Sequence, residues 1–230
     1  MDQNYAQQLL DKVKKDYNQI AEDFSNTRHR VWEEVGFLFD YIKSDDRVLD
    51  SGCGNGRYSP AIKEKGGQYF GIDNSEELIR IAKSRYPSEN FQVADALNLP
   101  FTNDFFDKIY SIAVLHHIPS KELRLKFFDE AKRALKSNGL LVLTVWEFKR
   151  WQERLLLLKY NISRVLGKSK LEKNDLFLSW QNKIPRYYHF FSEQELRKLA
   201  SEAGFEVIRA GVVSNERGNR NNIYLVAKKV

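Results

Sequence analysis

Asp50, Gly52, Gly54 and Gly56 stand at every second position, between a strand-like run at Arg47 to Leu49 and a helix-compatible run from Tyr58 to Lys65. Glycines this dense let the chain turn tightly and bring its backbone against a ligand with no Cβ in the way. A loop of this kind between strand and helix is where parallel α/β sheets hold nucleotides. Dinucleotide sites space their glycines G-x-G-x-x-G and seat a pyrophosphate on the following helix. Here the third glycine comes one residue early, and a carboxylate stands at the mouth of the loop. Asp50 would repel a pyrophosphate and suits a ligand that carries a cation, such as an α-ammonium group. No Lys-Ser or Lys-Thr follows the glycines, which excludes a Walker loop.

Two further acids fall in register with that loop. Gln68 to Asp73 reads as a second strand, and Asp73 comes 21 residues after Gly52, where a carboxylate accepts the two hydroxyls of a ribose. Asn74 follows it, and no arginine for a 2′-phosphate lies near. Phe91 to Ala94 reads as a third strand ending at Asp95-Ala96, an acid for an adenine amine and a backbone N–H beside it. The fourth strand, Phe106 to Ala113, is apolar on both faces, as a buried parallel strand is. It leads to His116-His117, candidates for substrate contact or proton transfer. Adjacent side chains without a third ligand do not make a metal pair, so no metal site is expected.

These residues need a scaffold, and the chain alternates strands and helices as a doubly wound parallel sheet does. Before the first strand, apolar residues at Leu9, Leu10, Val13, Tyr17, Ile20 and Phe24 form one helical stripe, broken by Ser25-Asn26-Thr27. A second helix is predicted through Val31, Trp32, Val35, Leu38, Phe39 and Ile42. Ser75 caps a helix through Ala82; Lys121 to Lys136 is another, followed by a strand from Leu140 to Val145. Residues 148–166 read as a basic helix and 167–174 as a connection. Ser192 caps a helix that Gly204 stops, and Phe205 to Val213 with Ile223 to Lys228 reads as a closing hairpin. The whole, 1–230, is expected to be one domain: a helical flank (1–44), a ligand-binding core (45–147), a basic insert (148–191), and a closing helix and hairpin (192–230).

Composition narrows the class. Of 230 residues 42% are hydrophobic, enough for a full core, and the single cysteine, Cys53, excludes an internal disulfide. No signal peptide is visible at Met1-Asp2-Gln3-Asn4, and no apolar run approaches the ~20 residues of a membrane span. The chain reads as a soluble cytoplasmic protein. Its net charge is +6, and the stretch Lys149 to Lys173 carries eight basic residues against Glu153 and Glu172, which accounts for the whole excess. Such a segment is either a solvated helix face or a footprint for a polyanion.

The loop Asp50–Gly56 resembles the D-x-G-x-G-x-G loop of class I S-adenosylmethionine (SAM) methyltransferases. Further elements sharpen the resemblance: Tyr17-Asn18-Gln19-Ile20-Ala21, Phe24-Ser25-Asn26-Thr27-Arg28, Trp32, Ser111 to His117, Val145-Trp146 and Arg186-Tyr187-Tyr188-His189. Together they are similar to the tRNA wobble-uridine carboxymethyl methyltransferases over nearly the whole chain. Arg217 and Arg220 stand where that family has an acid and a tryptophan around Gly218-Asn219. The resemblance implies a mostly parallel, seven-stranded Rossmann-like sheet and methyl transfer from SAM to the carboxylate of a 5-carboxymethyl-type uridine in the anticodon region of tRNA. It implies that Tyr17, Asp50, Gly52, Gly54, Gly56, Asp73, Asn74, Asp95, Ala96 and Ala113 hold the cofactor. It also implies that Arg28, His116, Tyr187 and His189 serve the substrate. A small zinc-binding activator, adding a strand near Phe91, Val93, Leu97 and Leu99, is a further implied partner. Two other functions fit a SAM-binding loop: a small-molecule O- or C-methyltransferase with His117 as general base, and a catalytically silent SAM-binding regulator.

Overall fold

Alternation within the buried strands sets the architecture. In β4 (Phe106–Ile112), Ile109 faces one side of the sheet while Tyr110 and Ile112 face the other. In β5 (Leu135–Trp146), Leu141, Leu143 and Val145 oppose Val142 in the same way. Both faces are therefore apolar, and a parallel sheet needs helices on each. The computed structural model describes residues 1–148, 151–180, 184–218 and 220–230. Lys149 and Arg150 of the basic run, and Asn219 of the predicted hairpin, lie outside them.

The main sheet has seven strands in the order β3-β2-β1-β4-β5-β9-β8. The remaining five are β1 (Arg47–Ser51), β2 (Gln68–Asp73), β3 (Asn90–Val93), β8 (Phe205–Ser214) and β9 (Asn221–Lys229). β9 runs antiparallel to both of its neighbours, β5 and β8, and the other pairings are parallel. On one face pack α4 (Lys121–Ala134), through Phe127, Phe128 and Ala131, and α6 (Glu193–Glu202), through Leu196, Leu199 and Ala200. On the other pack α2 (Ser59–Glu64), α3 (Glu76–Arg85) and a 3-10 helix over Glu33–Tyr41. That last element is where an α-helix was predicted. Gly36 within a run of β-branched and aromatic residues is a weak α-helix former, and the segment follows the sheet surface instead.

The N-terminal helix α1 (Gln3–Thr27) is longer than its apolar stripe, with Asp2 capping the Tyr5 N–H at 2.8 Å. It lies over the carboxyl edge of the sheet. At one end Ala21 packs on Leu78 and Ile81 of α3. At the other, Leu9 and Val13 pack on Leu171 and Tyr187. Asn18 ties it to α3, accepting from the Ser75 hydroxyl at 2.6 Å and donating to Glu76 at 2.9 Å.

Among its described residues the predicted basic insert holds one helix, α5 (Trp151–Val165), and then a two-stranded sheet that the sequence pattern did not show. Its strands are β6 (Asp175–Trp180) and β7 (Ile184–His189), paired antiparallel from Asp175↔His189 to Trp180↔Ile184. Leu176-Phe177-Leu178 gives no alternation, and Pro185 speaks against a strand; a pair with two free edges tolerates the missing N–H. No described helix is long and apolar enough to cross a membrane.

Phe91 closes the β3 edge against Gly71 and Gly56. A Cβ built on Gly71 would stand 2.7 Å from Phe91 Cδ1 and 2.7 Å from the Tyr69 hydroxyl. Gly71→Ala is expected to destabilise the fold by about 1–3 kcal/mol through overpacking, measured as a lower denaturant midpoint at unchanged slope.

Candidate active site

The carboxyl ends of β1, β2 and β4 and the underside of α1 border a cleft with about 1110 Å³ of atom-free space, the solvent at its mouth included. Leu10, Val13, Tyr17 and Phe24 line it from α1, at helical spacing, so the stripe read from sequence is the roof of the site. Gly52, Cys53, Gly54 and Asn55 line it from the glycine loop. Gly52 takes φ +81° and Gly54 φ +55°, and a Cβ on Gly52 would fall 2.4 Å from Val114 Cγ2. The N–H groups of Gly52 and Cys53 both donate to the Ile72 carbonyl at 2.8 Å, which pins the loop to β2. Asn55 reaches up from the loop and donates to the Arg28 carbonyl at 2.9 Å, holding the end of α1 over the opening.

Asp73, Asn74, Asp95 and Ala96 line the cleft from the ends of β2 and β3, as their register predicts. The Asp73 carboxylate accepts the N–H of Gly54 at 2.9 Å on one oxygen and that of Ser75 at 2.9 Å on the other. Each oxygen keeps a further lone pair, the capacity a ribose diol requires. Burial pushes the Asp73 pKa up while these backbone N–H groups pull it down. Ala113, at φ +62°, lines the cleft between β4 and His117, its N–H held by Thr144.

Asp50 sits elsewhere. Its carboxyl points beneath the loop, accepts the Tyr69 hydroxyl at 3.0 Å, and does not line the cleft. Burial raises its pKa to about 7, with the Tyr69 hydrogen bond and Arg57 pulling it down. The structure thus corrects the expectation that Asp50 faces the ligand's ammonium side: the side chain that follows Leu49 in β1 faces the layer of Val48's own core, under Tyr69. Gly56 is also below the lining; at φ +77° it backs onto Phe91 and Tyr86.

On the opposite side of the cleft four groups form a directed chain. The Tyr187 carbonyl can only accept, so at 2.9 Å His117 donates to it from Nδ1. His117 Nε2 therefore accepts, and the Tyr17 hydroxyl 2.8 Å away donates to it. The Tyr17 oxygen in turn accepts from Arg186 Nη1 at 2.9 Å. Burial pushes the Tyr17 phenol up, so it keeps its proton. Burial, and next the Arg186 charge, lower the His117 pKa to about 3, so the ring is neutral at pH 7. Arg28, Arg57 and Arg186 all line this side, and Trp146 adds an indole N–H with no hydrogen-bond partner among the described residues. Burial, then Arg57 and Arg220, lower the Arg28 pKa.

Of the four residues assigned to the substrate, only Arg28 lines the cleft. His116 is fully buried, stacked on Tyr188 at 5.4 Å with Nδ1 accepting the Trp146 backbone N–H at 3.3 Å, and burial holds its pKa well below the usual range. His117, its neighbour, has the place in the cleft. Tyr187 and His189 point away from it: Tyr187 into the packing with Leu9 and Val13, His189 between Asp175 at 2.7 Å and Glu195 at 2.8 Å. Successive strand residues face opposite sides, so on β7 it is Arg186 and Tyr188 that turn toward the cleft and its wall. Of Arg186-Tyr187-Tyr188-His189, Arg186 is the residue that lines the cleft, a placement that follows from the strand over 184–189. At the β3 edge, Phe91, Leu97 and Leu99 are buried and only Val93, 41% exposed, presents itself.

Residues 24–210 match the family model described as a methyltransferase domain. The chain belongs to this methyltransferase family. Among its relatives is the tRNA (carboxymethyluridine(34)-5-O)-methyltransferase of Arabidopsis thaliana, 36% identical over 147 residues, which are 63% of this chain and 35% of that protein. The chain thus spans about a third of the Arabidopsis relative's length. The enzyme of the same name from Schizosaccharomyces pombe is 27% identical with 100% of both chains covered. A solved SAM-dependent methyltransferase from Methanosarcina mazei superposes with a TM-score of 0.72 at 25% identity, covering 87% of this chain and 99% of that one. The cofactor of such a methyltransferase domain is SAM, and the lining fits it: a floor of side-chain-free backbone at Gly52 and Gly54, and carboxylates with spare acceptor capacity at Asp73 and Asp95.

Asp50 makes stability depend on pH. Its pKa of about 7 in the folded protein lies above the ordinary carboxyl value of 3.8. Its stabilising contribution is therefore full below about pH 4 and declines as pH rises toward 7. Asp50→Asn is expected to remove that decline, so that the variant gains on the wild type between pH 5 and pH 8 in chemical denaturation without ligand. An identical pH dependence in the two proteins would refute the assignment.

Proposed function

We propose that this protein is a SAM-dependent methyltransferase acting in the cytoplasm on the carboxylate of a 5-carboxymethyl-type uridine at the wobble position of tRNA. The observation that carries the acceptor assignment is the polarity of the cleft: guanidinium groups on the acceptor side, and no group there able to take a proton at neutral pH. Both nitrogens of His117 are engaged and its pKa is about 3. A phenol, amine or carbon acid would need a base; a carboxylate, with a pKa near 4, is already ionised. The reading with His117 as general base for a small molecule is therefore set aside, and a silent SAM-binding regulator would have no use for the acceptor-side arginines.

SAM supplies an electrophilic methyl group on a sulfonium. The chain's part is to place the acceptor oxygen in line and keep water out. Arg186, aimed by Tyr17 and His117, holds one carboxylate oxygen in charge-assisted hydrogen bonds, with Arg28 at the opening. Leaving the second oxygen free matters, because clamping both would stabilise the ground state more than the transition state. Leu10, Val13 and Phe24 on α1 exclude solvent above. A zinc-binding activator that adds a strand would meet the sheet at its free β3 edge, beside Val93.

The test is methyl transfer to tRNA from cells lacking this modification, read as the methyl ester by mass spectrometry. Absence of ester on any uridine would reject the reading. The rate is expected to be flat from about pH 6 to pH 8, with no limb of the kind an ionising base gives. Arg186→Ala is expected to lower kcat/KM for tRNA by roughly 10- to 100-fold, the worth of a hydrogen bond to a charged group, with SAM affinity unchanged by calorimetry.

A further inference from the structure

Beside the main cleft lies a second, open one with about 1370 Å³ of atom-free space. One wall is the segment from Thr27 to Glu34 that leaves α1; the other is the tip of the β8–β9 hairpin, with Ser214, Arg217 and Arg220. Arg28 and Trp32 line both clefts, so the two share a wall.

The charges of this trough are unevenly matched. Arg220 is committed: it grips Glu34 through Nε and, at 3.0 Å, through Nη2, and lies 4.6 Å over the Trp32 ring. Arg57 lies 4.2 Å over the same ring. Within this frame the ion pair is that of Arg220 with Glu34. Arg28, Arg30 and Arg217 have no carboxylate within salt-bridge distance among the described residues, while Glu33 and Glu216 stand exposed. Burial first, and then the nearby guanidinium groups of Arg57 and Arg220, lower the Arg28 pKa at the divide. Cations on both walls of an open trough suit a continuous polyanionic backbone better than a small carboxylate, which a trough this open would leave in water. Guanidinium forks bind phosphate oxygens in pairs, with geometry a point charge lacks.

We propose that the second cleft is a phosphodiester subsite for the nucleotide adjacent to the one whose base enters the main cleft, with Arg30 and Arg217 contacting the backbone on opposite walls. This rests on the reading of the acceptor as RNA. A strand leaving the main cleft past Arg28 enters the trough directly, so the subsite sets which stretch of the anticodon loop can reach the methyl donor.

Binding and methyl transfer are measured separately, with an anticodon stem-loop RNA carrying 5-carboxymethyluridine and with the free 5-carboxymethyluridine nucleoside as second acceptor. The double variant Arg30→Ala/Arg217→Ala is expected to bind the stem-loop about tenfold more weakly. Its plot of log affinity against log salt is expected to be shallower by about 1.4, at roughly 0.7 per single-stranded phosphate contact. Methylation of the nucleoside, which has no phosphate, is expected to be unchanged. Glu216→Gln is expected to tighten stem-loop binding a few-fold. Wild-type affinity and salt slope in the double variant would overturn the subsite, as would an equal loss of activity on the nucleoside. If the wild type methylates neither acceptor, the proposed function fails; if it methylates both and the double variant binds like it, only the subsite does.

Discussion

The acceptor half of the site depends on a single file of hydrogen bonds, Arg186 to Tyr17 to His117 to the Tyr187 carbonyl. It joins three segments far apart in the chain: the roof helix α1, the exit from β4, and β7. Each donor has one acceptor, and a backbone carbonyl at the end fixes the direction of the rest. A neutral histidine with Nδ1 protonated is the only form that satisfies both of its neighbours. Because the members are buried, loss of any one leaves the next with an unpaired polar atom, which costs more than the bond itself contributes. The file therefore positions α1 and the β6–β7 pair as well as Arg186.

Its electrostatic consequence is a cleft divided by sign. Toward the ends of β2 and β3 the polar lining is carboxylate, at Asp73 and Asp95, joined by Asn74; toward α1 and β7 it is guanidinium, at Arg28, Arg57 and Arg186. Between them lie a neutral imidazole and a phenol that keeps its proton. A donor bearing a cation and an acceptor bearing an anion would each meet its complement, and their charges cancel on reaction. Such a site needs alignment and dryness more than proton transfer, and an apolar roof at helical spacing supplies the second.

The cleft lining contributed by the ends of β1 to β3 was legible in the sequence because its determinants are local. A glycine loop, the acid ending the next strand and the one after it all follow strand ends in order, and the sheet order places them along one edge. The α1 stripe was legible for the same reason, since helical spacing marks the face that packs. Asp50 was misplaced because strand parity decides which side of the sheet a residue takes, and the motif does not state it. The acceptor half was less open to reading. His116 and His117 are equivalent in sequence, and only the 3-10 turn at Leu115–His117 distinguishes the stacked ring from the one in the cleft. Tyr187 and His189 share a parity, and without β7 nothing showed that it was the wrong one.

The basic run shows why charge counted along a sequence misleads about charge in space. Around α5, Trp151, Leu155, Leu158, Ile162 and Val165 are exposed at spacings of three and four, so the outward face of the helix is an apolar stripe. Arg154 and Lys159 flank it. The cations that crowd the cleft come instead from four places that no window would group: Arg28 at the end of α1, Arg57 after the glycine loop, Arg186 on β7, and Arg220 in the hairpin. Arg57 and Arg186 each stand alone amid residues of other kinds, while Arg28 has Arg30 two residues on and Arg220 has Arg217 three residues before it. Their convergence around Trp32 and Tyr17 is a product of the sheet order, which brings β9 beside β5 and folds α1 back across the carboxyl edge. Potential adds over distance through space. A polyanion approaching the two clefts that share Arg28 would meet guanidinium groups contributed by all four of these segments.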